Sequence, residues 1–537
     1  MTTAKRSALI AVLAVLISPL PSAAQSSAVN AGHHHYKLID MGTFGGPESY
    51  VNETIEAITA SRDINHGAMV GGSDTPTPTT GTSNFLVCGG LSGILPFVNH
   101  AFKGQNGIVT DLGTLPGADN CSGANGINAR GEIVGSSENA EIDPLTGVNQ
   151  SRPVRWKDGQ IADLGTLGGY EGTANSINNR GQVAGTATNA IADPLACFGL
   201  GTQCRAFLWQ DGVMKDLGTL GGPDALAVLI NERGQIAGMA NTSSSPSPAC
   251  GFLPLTTDPF LWQNGKMTDL GTLGGTCGFP LALNNRGQVI GASNLAGDLT
   301  AHAFLWPGTD GKMQDLGTLG GSFSNANAIN EKGDVVGYSN VLGDGSELAF
   351  LWRGGVLTNL GSLDGDPCST ANAINSKGQV VGISTATCDY STGRRAFLWE
   401  KGSMVDLNAL IPPESGMQLT LAETINDRGE IAVNGTPSGC DMVEQCGHAV
   451  LLIPCDEDHP DIEDCDYRPY DSGAVANAAA SIPVAESLAT SDASIDAMKQ
   501  SLRRRSMLWY RGLGIAESLV FKNWSSSRNY SSRSNRE

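Results

Sequence analysis

The chain is poor in charge and in aromatic rings, and past its first residues it has no long apolar run. Asp, Glu, Lys and Arg make up 16% of the sequence and Phe, Tyr and Trp 6%, where soluble chains usually carry about 25% charged residues. No stretch reaches the roughly 20 apolar residues that a membrane-crossing helix needs, so no transmembrane segment is expected. Signatures of common chemistry are missing too. There is no Gly-x-Ser-x-Gly elbow for a nucleophilic serine, no Gly-Lys-Ser/Thr phosphate loop and no His-Glu-x-x-His zinc helix. The cysteines show no C-x-x-C spacing, which leaves zinc unsupported. The charge that is present is one-sided: the formal net charge of −20 argues against nucleic acid or an anionic membrane as the main partner of the body.

Glycine and cysteine are what the chain has. Its 69 glycines are about twice the average share, which suits an all-β protein with many tight turns. The first residues read as a secretory signal, 1–24: Lys5 and Arg6 give the charge, Leu9 to Leu16 a short apolar core, and Ser22-Ala23-Ala24 a cleavage site before Gln25. The expected location is therefore secreted or periplasmic. All twelve cysteines follow the signal, and an even number in an oxidising compartment favours disulfides.

Three motifs recur in fixed order. Asp-Leu-Gly or a close variant stands at Asp40, Asp111, Asp163, Asp216, Asp269, Asp315, Asn359 and Asp406. Each is followed by an Ile-Asn-x-x-Gly element such as Ile177-Asn178 with Gly181, and then by Ala-Phe-Leu-Trp as at Ala206–Trp209 or its variant. Asn-x-x-Gly between two apolar runs predicts a hairpin whose type I turn closes on a left-handed glycine. Asp211-Gly212 predicts a second hairpin. Four strands every 50 residues or so predict a β-propeller. The expected order runs from the Ile-Asn strand innermost, through Gly-Gln-Val-Val-Gly and Ala-Phe-Leu-Trp, to Asp-Leu-Gly outermost. The lone strand at Tyr36 to Gly42 would pair with His448 to Ile453 and close the ring, giving eight blades over residues 36–453. Seven blades, with the long first unit left outside, is the alternative.

The motifs His100-Ala101-Phe102 and His302-Ala303-Phe304, with His448-Ala449-Val450 as a variant, resemble the HAF family of bacterial extracellular repeats over roughly residues 36–453. The resemblance implies an exported protein and brings no established activity. The histidine is replaced elsewhere by Arg205, Asp258-Pro259, Leu348 or Arg395, so it is not a site common to every blade.

The predicted strand order puts two loop types on one rim: the link from Asp-Leu-Gly to the next blade, and the variable loop before Ala-Phe-Leu-Trp. Cys121, Cys277 and Cys368 fall in links, and Cys88, Cys250 and Cys388 in variable loops. The expected pairs are Cys88–Cys121, Cys250–Cys277 and Cys368–Cys388, with the local pairs Cys197–Cys204, Cys440–Cys446 and Cys455–Cys465 using the rest. That rim also carries the longest loops, Gly72 to Asn99, Thr186 to Cys204 and Ala240 to Asp258. Loop variation on a rigid frame is where binding usually resides.

Outside the repeats, 25–35 with its three histidines reads as a flexible leader and 454–470 as an acidic, disulfide-clipped, solvated segment. Asp456, Asp458, Asp461 and Asp464 are oxygen-rich in the manner of calcium loops, but the EF-hand spacing and glycine are missing and no cofactor is expected. Residues 471–537 read as a Ser/Ala/Thr linker and a basic tail without apolar period. The sequence thus points to a monomeric, non-enzymatic binding scaffold whose partner is an extracellular or envelope protein or glycan. No catalytic residue is assigned. The alternatives are a propeller enzyme acting on an extracellular polymer and a structural component of the envelope or matrix.

Overall fold

The computed structural model describes residues 33–470 except 52–63, 66, 85, 91–92, 95, 106, 194–199, 248–249, 251–254, 309–310, 441–445, 461 and 469. The signal, the basic tail and Cys197 therefore lie outside the described residues. Among the described residues, no helix is long and apolar enough to cross a membrane.

The third unit shows how a repeat is built. Gly168–Ile177, Val183–Ala192, Thr202–Gln210 and Val213–Asp216 pair in that order, all antiparallel. In the first turn Gly181 N–H donates to the Asn178 carbonyl at 2.9 Å and Gly181 has φ +78°. Asp211 (φ +51°) and Gly212 (φ +84°) both take the left-handed conformation at the second turn, as a two-residue type I′ hairpin requires. The same four-stranded pattern recurs through 122–163, 225–269, 274–315, 320–361 and 368–406. In the first unit the inner strand is split into Ser49–Val51 and Ile64–Asn65. The last unit takes Met417–Ile425, Ile431–Pro437 and His448–Pro454 from the end of the repeats and Tyr36–Asp40 from the start. Tyr36 stands opposite Pro454 and Asp40 opposite Val450. These sheets form a β-propeller with the strand order expected from the repeats.

The last unit also packs on the first. Asn434 Oδ1 accepts the Val51 N–H at 2.9 Å, and Ser49 Oγ accepts the Ala449 N–H at 3.1 Å. Met41, Val51, Met69 and Phe102 share an apolar cluster with Ala432, Ala449 and Leu451. Elsewhere, too, the core lies between neighbouring sheets. The aromatic of Ala-Phe-Leu-Trp is fully buried at Phe102, Phe207, Phe260, Phe304, Phe350 and Phe397, and a buried valine stands there at Val154 and Val450. Next to it, the inner strand of every unit after the first carries a register shift, for example between Ala174 and Ser176. The shift pushes the inner strand over a glycine of the second strand: a Cβ on Gly185 would lie 2.6 Å from Phe207 Cζ and closer still to the Thr173 carbonyl.

Residues 33–35, expected in the leader, are docked on the propeller. His33 is buried, its Nδ1 lying 3.0 Å from Glu400 Oε1 and its Nε2 3.2 Å from Ser403 Oγ. His33 and Tyr470 exchange backbone hydrogen bonds, and His35 O accepts Cys455 N–H at 2.8 Å. The boundary expected at Tyr36 is thus corrected to include at least 33–35, because a carboxylate on the seventh unit holds the imidazole. The segment after Cys455 is likewise docked rather than fully solvated. His459 is buried between Asp456 (2.7 Å) and Glu430 (3.3 Å).

Candidate functional site

The two ends of the propeller are built differently. On one, the Asn-x-x-Gly turns link unit to unit through side-chain amides. Asn178 Oδ1 accepts the N–H of Arg180 and Gln182, while Nδ2 donates to Gln182 Oε1 and to the Asn231 carbonyl of the next unit. The interunit bond repeats from Asn128 to Asn178, Asn231 to Asn284, Asn284 to Asn330, Asn330 to Asn375 and Asn375 to Asn426, at 3.0–3.2 Å. These asparagines hold turns, as the sequence suggests, and they also tie neighbouring units, which the sequence reading missed.

The opposite rim carries the links and variable loops. Cys88–Cys121, Cys250–Cys277 and Cys368–Cys388 are disulfides there, and Cys440–Cys446 and Cys455–Cys465 are bonded as well. Cys204 is disulfide-bonded. The link cysteines share one register position with acids of other units. Where Cys121, Cys277 and Cys368 stand, the third and fourth units have Glu171 and Asp224. Glu171 Oε2 accepts Ser151 N–H at 3.0 Å and Asp224 Oδ1 accepts Cys204 N–H at 2.9 Å, each from the third strand of the preceding unit. In these five units one position thus fastens the link by a covalent bond or by a hydrogen bond to an acid, whereas Phe323 and Leu419 stand there in the sixth and last units.

The loop between Ala68–Pro78 and Phe97–Gln105 leaves its own unit. Thr82 O accepts Asn149 N–H at 2.7 Å, and Asn84 Nδ2 donates to the Asn149 carbonyl (2.7 Å) and to Glu171 Oε2 (2.9 Å). Beneath it lies a set of buried acids that the sequence reading missed, since nothing local marks them. Glu138 accepts the N–H groups of Asn84 and Cys121. Burial pushes its carboxyl up despite these donors. Burial pushes Glu171 up to about 8, against the Ser151 and Asn84 donors and with the Asp143 carboxyl adding to the rise. Asp74, at the register position of Glu138 in the first unit, is pushed up to about 7 by burial. Cys88, Cys121 and Glu138 come together, but the two sulfurs are bonded to each other and are not thiolate ligands.

The histidines that precede Ala-Phe or Ala-Val in three units have a role at the sheet edge. His100, His302 and His448 face Asp111, Asp315 and Asp40 at 2.9 Å. Arg152 and Arg205 do the same with Asp163 and Asp216, and Arg395 reaches Asp406 at 3.6 Å. These aspartates also cap their own turns, as Asp216 Oδ1 does for Gly218 N–H. Where the base is Leu348 the acid is Asn359, so neither partner is charged. At this edge the fourth unit instead sets two acids against each other. Burial and the facing Asp269 carboxylate push Asp258 up to about 7.

The described carboxylates of the acidic segment mostly pair with separate bases. Asp456 meets His459, Asp458 meets Lys377 at 2.9 Å, and Asp464 meets Lys37 at 3.0 Å; Asp461 lies outside the described residues. An open cleft of about 240 Å³ lies between the seventh and eighth units, lined by Arg395, Asp406, Asn408, Ile411, Pro412 and Met417 among others. That is below the roughly 300–1,000 Å³ of sites that enclose a small organic ligand. Ser403, His33 and Glu400 stand in the atom order of a nucleophile, base and acid. The imidazole is 2% exposed beneath the docked leader, so its evident work is to hold the leader.

No family model matches the chain, and no curated protein matches it. Among solved structures it is similar to the acylaminoacyl peptidase of Pyrococcus horikoshii, with 11% identity over 75% of this chain and a TM-score of 0.36. The chain spans 60% of that peptidase's length. It is also similar to TolB from Acinetobacter baumannii, with 10% identity over 70% of this chain and 95% of that one and a TM-score of 0.29.

Proposed function

We propose that the chain is an exported, eight-bladed scaffold of HAF-type repeats that binds an extracellular or envelope protein or glycan through its link rim. The observation that carries this reading is the fastening of that rim, where one register position is a disulfide in three units and a hydrogen-bonded acid in two, and a loop from the first unit seats on its neighbours. Rigid support beneath variable loops is what a preorganised binding surface needs. Replacing residues 79–96 with a Gly-Ser linker is expected to abolish capture of a ligand found by screening glycan and envelope-protein arrays, while thermal unfolding stays cooperative. Equal capture by the loop variant would overturn the assignment to this rim.

The enzymatic alternative has one favouring observation, the order Ser403–His33–Glu400. A fluorophosphonate probe distinguishes the readings. Under the scaffold reading the wild type is not labelled, whereas labelling abolished by Ser403→Ala would establish a nucleophile.

A further inference from the structure

The face opposite the link rim carries a ring of bases. In seven of the eight units the residue before the turn glycine is Arg or Lys, from Arg130 to Arg428. Several of these head groups reach over the turn of the next unit. A Cβ on Gly181 would lie 2.6 Å from Arg130 Nη2 and one on Gly234 2.7 Å from Arg180 Nη2, and Arg286 Nη1 donates to the Lys332 carbonyl at 3.1 Å. The ring is neutralised unevenly. Arg130 pairs with Glu132 at 2.7 Å and Arg428 with Glu430 at 3.4 Å. The third to fifth units have Gln182, Gln235 and Gln288 at that position, and there Arg180, Arg233 and Arg286 are exposed with no ion pair among the described residues. The one acid in those three turns, Glu232, is turned onto the Asn179 N–H at 3.1 and 3.2 Å. At the seventh and eighth units the chain supplies its own cover: Asp458 meets Lys377 at 2.9 Å, and His459, held by Asp456, accepts from Arg428 Nε at 3.3 Å.

We propose that the arc of Arg180, Arg233 and Arg286 docks an extended acidic segment of a partner protein, in the way that the turns of the seventh and eighth units dock the acidic stretch after Cys455. The planar guanidinium fork matches a carboxylate. One exposed ion pair contributes little and is screened by salt, so the partner must offer several carboxylates at once, as a run of Asp and Glu does. Two further cations stand near the same turns without an ion pair among the described residues: Arg155 lies over the Trp209 ring at 4.7 Å and Lys215 over the Trp262 ring at 5.3 Å. They widen the positive arc, and they cover two buried indoles, which closes those rings to a stacking sugar. The net charge of −20 therefore coexists with an arc of the opposite sign, and it is the local field that steers a charged partner.

The test uses the whole chain with its disulfides intact and, as probe, a fluorescein-labelled peptide with the sequence of residues 456–466 carrying Cys465→Ser, read by fluorescence anisotropy at low salt. Saturable one-to-one binding that weakens as NaCl is raised is expected. The triple variant Arg180→Gln, Arg233→Gln, Arg286→Gln is expected to weaken it roughly tenfold, as the loss of three exposed pairs together would, with an unchanged melting temperature. Arg180→Gln alone, which removes no side-chain hydrogen bond among the described residues, is expected to weaken it about two- to threefold and serves if the triple variant does not fold. Arg503→Gln, Arg504→Gln, Arg505→Gln in the basic tail is expected to leave the affinity unchanged. The proposal is overturned if the peptide shows no saturable binding, if the arc variants bind it undiminished, or if the tail variant abolishes binding. Polygalacturonate run in parallel separates the other class of ligand: its binding through the same arginines with the peptide left unbound would equally overturn the proposal.

Discussion

Asn231 accepts the N–H groups of Arg233 and Gln235 through Oδ1 and donates through Nδ2 to Gln235 Oε1 and the Asn284 carbonyl. Asn231→Ala removes all four bonds and takes from the buried Gln235 N–H its side-chain acceptor, while the Asn284 carbonyl keeps only the Gly287 N–H. Net hydrogen bonds contribute about 1 kcal/mol and a buried orphan costs roughly 1–3 kcal/mol, so a loss of about 2–4 kcal/mol is expected in urea unfolding. The exposed neighbour Arg233→Ala should stay within about 0.5 kcal/mol. Asp258 offers a test of sign. Its folded-state pKa, about 7, is above the unfolded value near 4, so the folded chain holds the proton more tightly. Stability from this group is full below about pH 4 and is lost as the pH rises through 7. Asp258→Asn should abolish that part of the pH dependence. Melting curves of the two proteins between pH 4 and 8 should coincide at the acid end, diverge as the pH rises from about 4 to 7 and stay apart above that, with the variant more stable.

At the scale of the element, the 33–40 segment docks by a strand and by one side chain. Burial would push the Glu400 carboxyl up, but hydrogen bonds from His33 and Gln379 outweigh it and hold the group below its usual range. A depressed carboxylate stabilises the fold above its unfolded pKa and loses that contribution as the pH falls. His33→Ala leaves a buried charge without its main partner and is expected to cost about 3 kcal/mol, read by chemical denaturation at pH 7, with a smaller cost at pH 3. Deleting residues 33–41 should do more, because it bares the edge of His448–Pro454 and an unpaired edge invites association with other chains. Size-exclusion chromatography is expected to show oligomers or aggregate for the deletion; a monodisperse monomer with an unchanged melt would contradict the closing role of that strand.

Across the whole molecule, what could be read from the sequence is what repeats. Ile-Asn-x-x-Gly and Asp-Gly are local turn chemistry, and their order alone implies the four-stranded unit and the return of Tyr36–Asp40 to the last sheet. The positions of Cys121, Cys277 and Cys368 relative to the Ile-Asn strand likewise put their partners on the same rim. The seat of His33 could not be read, since Glu400 lies 367 residues away and three adjacent histidines at a chain end look like a solvated leader. The buried acids Glu138 and Glu171 were hidden for a related reason: they come from two units under a loop from a third, and neither belongs to a repeat motif. A signal was available for the edge pairs, because the unit with Leu348 in place of a base is also the one with Asn359 in place of aspartate.

Each turn asparagine from Asn128 to Asn375 gives an amide proton to the carbonyl of its counterpart in the unit that follows. The joint therefore has a polarity, and it asks of a successor only a main-chain carbonyl, which any unit can offer. Duplicating or deleting a whole unit leaves each remaining joint chemically the same on that end of the molecule. On the other end a serine hydroxyl repeats from unit to unit, at Ser49, Ser122, Ser324 and Ser369, but the cysteines and acids beside it are individual, each matched to a particular neighbour. A unit could thus be added or removed at one face without new chemistry, whereas at the other its cysteine or acid would need its own neighbour.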